Sequence, residues 1–191
     1  MGHYFPIRQR WSKSRKLQVI TKIWILEKQY WKKEIDNMHF ARTLYDLWKD
    51  LTSDVVKRAF QESPKIRNIV KVLQKLISMG NISCLITAAP EFFAHHFYEY
   101  GFEYIFASKP FNLVEREFTP EHILHAQDKP TLVNKLTQEL GLPFEEIVAF
   151  GDSISDVPLF QTLKHTIAVN GDMHIKITQN GIIREPISWK Y

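Results

Sequence analysis

With 191 residues, 45% of them apolar and 24% charged, the chain can bury one full core with a small insert beside it, as a globular enzyme or a binding module does. Its single cysteine, Cys84, lies in an apolar run, which excludes a disulfide framework or a cysteine-rich metal site and points to a reducing, cytoplasmic setting. The net charge of +4 is uneven: residues 1–33 hold nine Lys/Arg against Glu27 alone, a net +8, and the rest of the chain is net −4.

Met1 to Trp11 has mixed character and predicts no firm element. From Ser12, a possible N-cap, Leu17, Ile20, Trp24, Trp31 and Ile35 recur at helical spacing with lysines between them. The β-branched run Val19 to Ile25 is open to a strand reading, but the continuing pattern favours a helix. Phe40, Leu44, Leu47, Trp48 and Leu51 mark a second amphipathic helix, and Val55 to Phe60, capped at Thr52 or Ser53, a short third. Together, residues 1–63 are expected to form a mostly helical region.

Pro64 starts a new unit, expected to run to residue 191. Ile66 to Met79 predicts a helix ended by Gly80, and the apolar run Ile82 to Thr87 a buried parallel strand. A helix from Glu91 to Tyr100, a strand over Tyr104 to Ala107 and a helix from Pro130 to Leu140 continue the alternation. A strand at Ile147 to Phe150, a short strand over Thr166 to Val169 and turns at Asn170-Gly171 and Asn180-Gly181 follow, with Ile182 to Trp189 able to close the sheet. Strands alternating with helices imply an α/β fold, a parallel sheet covered on both faces. No stretch reaches the ~18 apolar residues of a membrane span, and the basic N-terminus lacks a signal-peptide core.

The chemistry concentrates in Ile147-Val-Ala-Phe-Gly-Asp-Ser-Ile-Ser-Asp156. A buried strand there would deliver carboxylates to its C-terminal edge, where open α/β sheets bind ligands. Asp152 and Asp156, four apart at the start of a helical turn, can face one hard cation. Mg²⁺ suits them, since it takes one or two carboxylates and keeps positions for water and substrate phosphate.

This stretch, with Thr87 in Leu-Ile-Thr-Ala-Ala-Pro and Lys129, which precedes Asp152 by 23 residues, resembles the haloacid dehalogenase superfamily. The likeness is greatest to its phosphoserine-phosphatase-like branch, which has a small helical cap. The resemblance implies a three-layer Rossmann-like core and Mg²⁺-dependent hydrolysis of a small phosphorylated substrate through an aspartyl-phosphate. It implies that Thr87 and Ala88 bind the phosphoryl group and that Lys129 balances its charge. It also implies that Asp152 and Asp156 hold the metal. The Ile167 to Asp172 tail resembles the family's next strand and turn.

One part of the pattern is absent. The family's first motif, Asp-x-Asp-x-Thr on the middle strand, supplies the nucleophile and general acid, and no Asp-x-Asp occurs in these residues. Aligning Phe40 with the cap phenylalanine of the branch puts the nucleophile at or just before Met1. The central strand is therefore expected to be missing, to be refilled, or to lie upstream. Tyr4 to Ile7, interrupted by Pro6, and Val19 to Ile25, without an aspartate, are poor substitutes. As it stands the chain is expected to turn over little or no substrate.

Two other readings follow: a non-catalytic relative that binds a phosphorylated ligand or a protein through its basic cap, and a binder of anionic lipid or nucleic acid through the basic, aromatic N-terminal region. Helical spacing of those aromatics favours packing into the cap, which weighs against both partners; nucleic acid is not expected, and a membrane surface stays open. Leu47 stands where the branch's cap carries a carboxylate-binding arginine, with Arg42 the nearest basic residue, which argues against phosphoserine. His95-His96 and His122/His125 lack ligand partners at useful spacing and are expected to pack.

Overall fold

The computed structural model of the chain describes residues 13–48, 51–111 and 117–169. The chain divides into two compact units, Met1–Ile123 and Leu124–Tyr191.

The first unit opens with three helices, α1 (Lys13–Trp31), α2 (Asn37–Trp48) and α3 (Ser53–Glu62). The β-branched run in α1 is helical, as the continuing pattern predicts. It has one buried side, where Leu26 is inaccessible and Ile23 and Tyr30 are half-buried, and a helix needs no neighbouring strand to satisfy its backbone. Asp36 starts α2 by accepting the His39 N–H on Oδ1 at 2.7 Å, and Tyr30 and Phe40 join the two helices ring to ring at 4.7 Å. In α3, Val56, Ala59 and Phe60 are buried at helical spacing. Phe60 is the hub of the unit's core, with Phe93, Phe97 and Tyr100 at centroid distances of 5.3, 4.9 and 5.4 Å. All three contacts are edge-on, the arrangement the ring quadrupoles favour.

After α4 (Ile69–Ser78), β1 (Cys84–Pro90) and β2 (Tyr104–Ser108) pair in parallel, from Cys84 beside Tyr104 to Thr87 beside Ala107. The crossover is α5 (Glu91–Ala94) followed by a 3-10 turn, His95–Tyr100. The strand starts two residues later than Ile82, which is 43% exposed. The reason is Ser83: its hydroxyl donates to the Gly101 carbonyl at 2.9 Å, and its own carbonyl accepts the Glu103 and Tyr104 N–H groups, so it forms the corner that sets the register. Gly101 has φ +105°, and a Cβ there would meet the Ile77 side chain at 3.1 Å.

In the second unit α6 (Asp128–Leu140) precedes β3 (Val148–Gly151), α7 (Val157–Thr162) and β4 (His165–Ala168). β3 and β4 are parallel, with Val148 beside His165 and Gly151 beside Ala168. The expectation that β3 is buried on both faces is not met. Ala149 is 8% exposed, but Val148 and Phe150, which point the other way, are 49% and 61% exposed. An apolar run is compatible with burial on both faces, but burial depends on what covers each face, and among the described residues one face of β3 is uncovered.

Among the described residues β1 pairs only with β2 and β3 only with β4, giving two two-stranded parallel sheets with helices between the strands. The fold is α/β, as the alternation predicts. Residues 1–12 and 170–191, including Tyr4 to Ile7, Asn170-Gly171, Asn180-Gly181 and Ile182 to Trp189, lie outside the described residues. Among the described residues no helix is long and apolar enough to cross a membrane.

Candidate active site

β3 ends at Gly151, and the chain turns through a 3-10 segment, Ile154–Asp156, into α7, whose first turn contains Pro158. The turn is held by a reciprocal cap. The Ser153 side chain accepts the Asp156 N–H, and Asp156 Oδ2 accepts the Ser153 N–H at 3.1 Å. Oδ2 also accepts the Asp152 N–H at 3.1 Å. The carboxylate is thereby folded back beneath Gly151. A Cβ at Gly151 would lie 2.5 Å from Asp156 Cγ and 2.6 Å from Oδ2, so only glycine leaves room for it.

The other carboxylate oxygen meets Lys129. This lysine enters from the first turn of α6, which Asp128 opens by accepting the His125 N–H at 2.7 Å. Its side chain is only 6% exposed, with Nζ 2.6 Å from Asp156 Oδ1 and 3.1 Å from Ser155 Oγ. Ser153 Oγ lies 2.7 Å from Ser155 Oγ and 3.2 Å from Asp156 Oδ2. An ammonium can only donate, so Ser155 accepts from Lys129, and because Ser153 donates to Asp156, the Ser155 hydroxyl donates its hydrogen bond to Ser153. The four side chains close a ring. A buried ammonium needs such a partner, because desolvating a lone charge costs several kcal/mol. Two of its three N–H groups are used, and the third has no partner among the described residues.

Asp152 differs from Asp156. Its backbone is tied to the ring, but its side chain is exposed and makes no hydrogen bond or ion pair among the described residues. The two aspartates thus divide: one carboxylate is consumed by the protein, the other is open to solvent. Among the described residues no group of three or more His, Cys, Asp or Glu side chains converges as a metal cage.

Thr87 and Ala88 belong to the first unit, near the C-terminal end of β1. Thr87 is half-buried and its Oγ1 accepts the Ala89 N–H at 3.1 Å, while Ala88 is exposed. At the same sheet edge, Glu91 Oε1 receives Lys109 Nζ at 2.6 Å and His95 Nε2 at 3.1 Å. That oxygen ties the ends of β1 and β2 together. His96 lies against Phe60 at 5.1 Å, and burial holds its imidazole below its ordinary pKa, so it packs as a neutral ring. Burial also pushes the Cys84 thiol up to about 12. Arg42 stacks over Phe118 at 4.4 Å, and Leu47 is half-buried on α2.

Reading by residue type missed Ser153 and Ser155. The signal was present in Ser153-Ile-Ser-Asp156, since a serine three residues before an acid at a helix start is a capping box. That pattern says the acid's carboxylate will turn back toward the backbone.

Residues 7–161 match the family described as haloacid dehalogenase-like hydrolase. Among solved structures, a haloacid dehalogenase family hydrolase from Salmonella enterica subsp. enterica serovar Typhi aligns with TM-score 0.73 and 18% identity, over 84% of this chain and 56% of that one. A substrate-bound phosphoserine phosphatase aligns with TM-score 0.67 and 18% identity, over 85% and 78%. A probable phosphoserine phosphatase from Vibrio cholerae aligns with TM-score 0.69 and 14% identity, over 85% and 55%. At such identities the likeness is one of fold, and the chain spans little more than half the length of the Salmonella and Vibrio structures. No curated protein matches the chain.

Proposed function

The chain belongs to the haloacid dehalogenase-like hydrolase family, and from that premise we propose that its chemistry is Mg²⁺-dependent handling of a small phosphate monoester. The reading takes residues 1–63 as the cap and 64–191 as the core, of the phosphoserine-phosphatase-like branch. The single cysteine fits a reducing compartment, the cytoplasm.

The observation that carries the reading is the buried Lys129–Asp156 pair beneath an exposed Asp152 carboxylate at the C-terminal end of β3. The donor set fits Mg²⁺, which binds through one or two carboxylates and retains several waters. Asp152 has both oxygens free to serve as a direct ligand. Asp156 retains lone-pair capacity mainly on Oδ1, beside Lys129, and would act through water. Bound there, Mg²⁺ would neutralise phosphoryl oxygens and hold the group in line. Lys129 would offer its remaining N–H to a phosphoryl oxygen, with Asp156 and Ser155 fixing its direction. By the family's pattern Thr87 and Ala88, which lie in the first unit, are the further phosphate-binding residues of this reading.

Residues 1–191 contain no Asp-x-Asp, so the family's nucleophile has no number here, and we assign these residues binding without aspartyl-phosphate turnover. Leu47, an apolar side chain on α2, favours substrates without a carboxylate at that point of the cap. The test is calorimetric titration with Mg²⁺, then with inorganic phosphate. Mg²⁺ binding that disappears in Asp152→Asn supports the metal assignment, and no binding at millimolar Mg²⁺ refutes it. Phosphate binding without hydrolysis of an aryl phosphate supports a ligand-binding role. Mg²⁺-dependent hydrolysis abolished by Asp152→Asn would overturn the assignment of inactivity.

A further inference from the structure

We infer that α1 docks the protein on the surface of an anionic lipid bilayer. This inference does not rest on the phosphatase reading. The helix has one side toward the protein, marked by Leu26, Ile23 and Tyr30; Thr21, Trp24, Ile25 and Lys28 are exposed on its far side, Lys22 is exposed on one flank, one turn before Leu26, and Lys32 is exposed just past the helix end. Trp24 is 51% and Ile25 46% exposed, and Lys28 Nζ stands 5.3 Å from the Trp24 ring centre. No acid lies on that face. Glu27, the one acidic residue of the first 33, is half-buried on the other flank, and burial raises its pKa.

Each part of this face has a use at a bilayer. Trp24 and Ile25 are apolar groups that gain by leaving water, and an indole with lysines around it suits the headgroup boundary. Lysine stems can lie along that boundary with their charges in the headgroup layer. Anionic lipid supplies the complementary charge. A nucleic acid would leave Ile25 without a role, and Lys28 already covers the Trp24 ring that a base would stack on. A second copy of the helix would set Lys22 and Lys28 against their own kind. Lys32 is partly neutralised by Glu34 at 3.4 Å, so Lys22 and Lys28 are the cations that matter most.

The experiment is co-sedimentation of the full chain with vesicles of phosphatidylcholine, with and without about one-third phosphatidylglycerol, at low and high salt. We expect binding to the anionic vesicles alone, weakening as salt rises. The Lys22→Gln/Lys28→Gln variant should bind about 25-fold more weakly, fivefold per lysine. Trp24→Ser/Ile25→Ser should weaken binding while keeping its salt dependence. Lys71→Gln, the same charge change at an exposed site on α4, should bind as the parent does. Far-UV circular dichroism checks that each variant is folded. The inference fails if the parent binds neither vesicle, if it binds both equally, or if Lys71→Gln weakens binding as much as a single α1 lysine change. It also fails if single-stranded DNA displaces the vesicles at lower concentration than anionic lipid does.

Discussion

Asp156→Asn should destabilise the protein more than Lys129→Met does, although the two substitutions break the same ion pair. Asp156 serves two sets of donors, the Lys129 ammonium on Oδ1 and two backbone N–H groups with the Ser153 hydroxyl on Oδ2. An asparagine can direct its oxygen to only one set, and its NH₂ then faces the donors of the other. If the oxygen faces the backbone, Lys129 is left as a buried cation with only Ser155 as partner. Breaking a buried pair in this way costs about 3–5 kcal/mol. Lys129→Met fills the space with a side chain of similar length and leaves Oδ2 its three donors. Asp156 is 13% exposed, so water can reach the freed Oδ1, and the cost falls to about 1–3 kcal/mol. Urea unfolding followed by far-UV circular dichroism measures both. With a slope of about 1–3 kcal/mol per molar, Asp156→Asn should lower the midpoint by more than about 1 M. A midpoint lowered more by Lys129→Met than by Asp156→Asn, or by neither, would refute the division of labour between the two carboxylate oxygens.

Gly151→Ala, which puts a methyl 2.5 Å from Asp156 Cγ, should expel the carboxylate from its cap and lower the melting temperature by about 5–10 °C. A change within a degree or two would show that the turn has room to spare. Burial holds His96 below its ordinary pKa, so the unfolded chain binds more protons than the folded one as pH drops below about 6.5. The stability this group contributes is complete above that pH and is lost as pH falls through the folded pKa. His96→Phe should therefore lose less stability than the parent between about pH 7 and pH 5, and parallel losses would count against it. With the Cys84 thiol near 12, its reaction with a thiol reagent at pH 8 should be about a thousandfold slower in the folded chain than in urea.

The sequence shows its helices and parallel strands because they rest on local pattern. The lysines between Leu17, Ile20 and Trp24 outweighed the β-branched run, and the Ile147 to Phe150 run ending in glycine marked β3. Covering is not local: nothing within Val148-Ala-Phe says that one face of β3 is open while Ala149 is buried. The same limit applies to the aspartates. Their spacing places Asp152 and Asp156 at one turn, but which carboxylate turns inward depends on Ser153, a capping residue easily read as filler. Lys129 was found by its distance along the chain from Asp152. Its near-complete burial follows from α6, whose first turn brings the lysine to Ser155 and Asp156.

The short range of the strand pairing bears on how the chain folds as it is made. Cys84 and Tyr104 are partners, as are Val148 and His165, so each parallel pair closes a loop of about twenty residues, for which the entropy cost is small. The aromatic core of that unit, with Phe60 on α3 and Phe93 on α5, precedes or lies within that loop. At about 5–20 residues per second, synthesis leaves seconds between the emergence of β2 and that of β4. Pairing and packing over such distances take far less. The first sheet and its aromatic core can form while the Lys129–Asp156 ring has yet to be translated, so a fault in that ring should not prevent the N-terminal unit from folding.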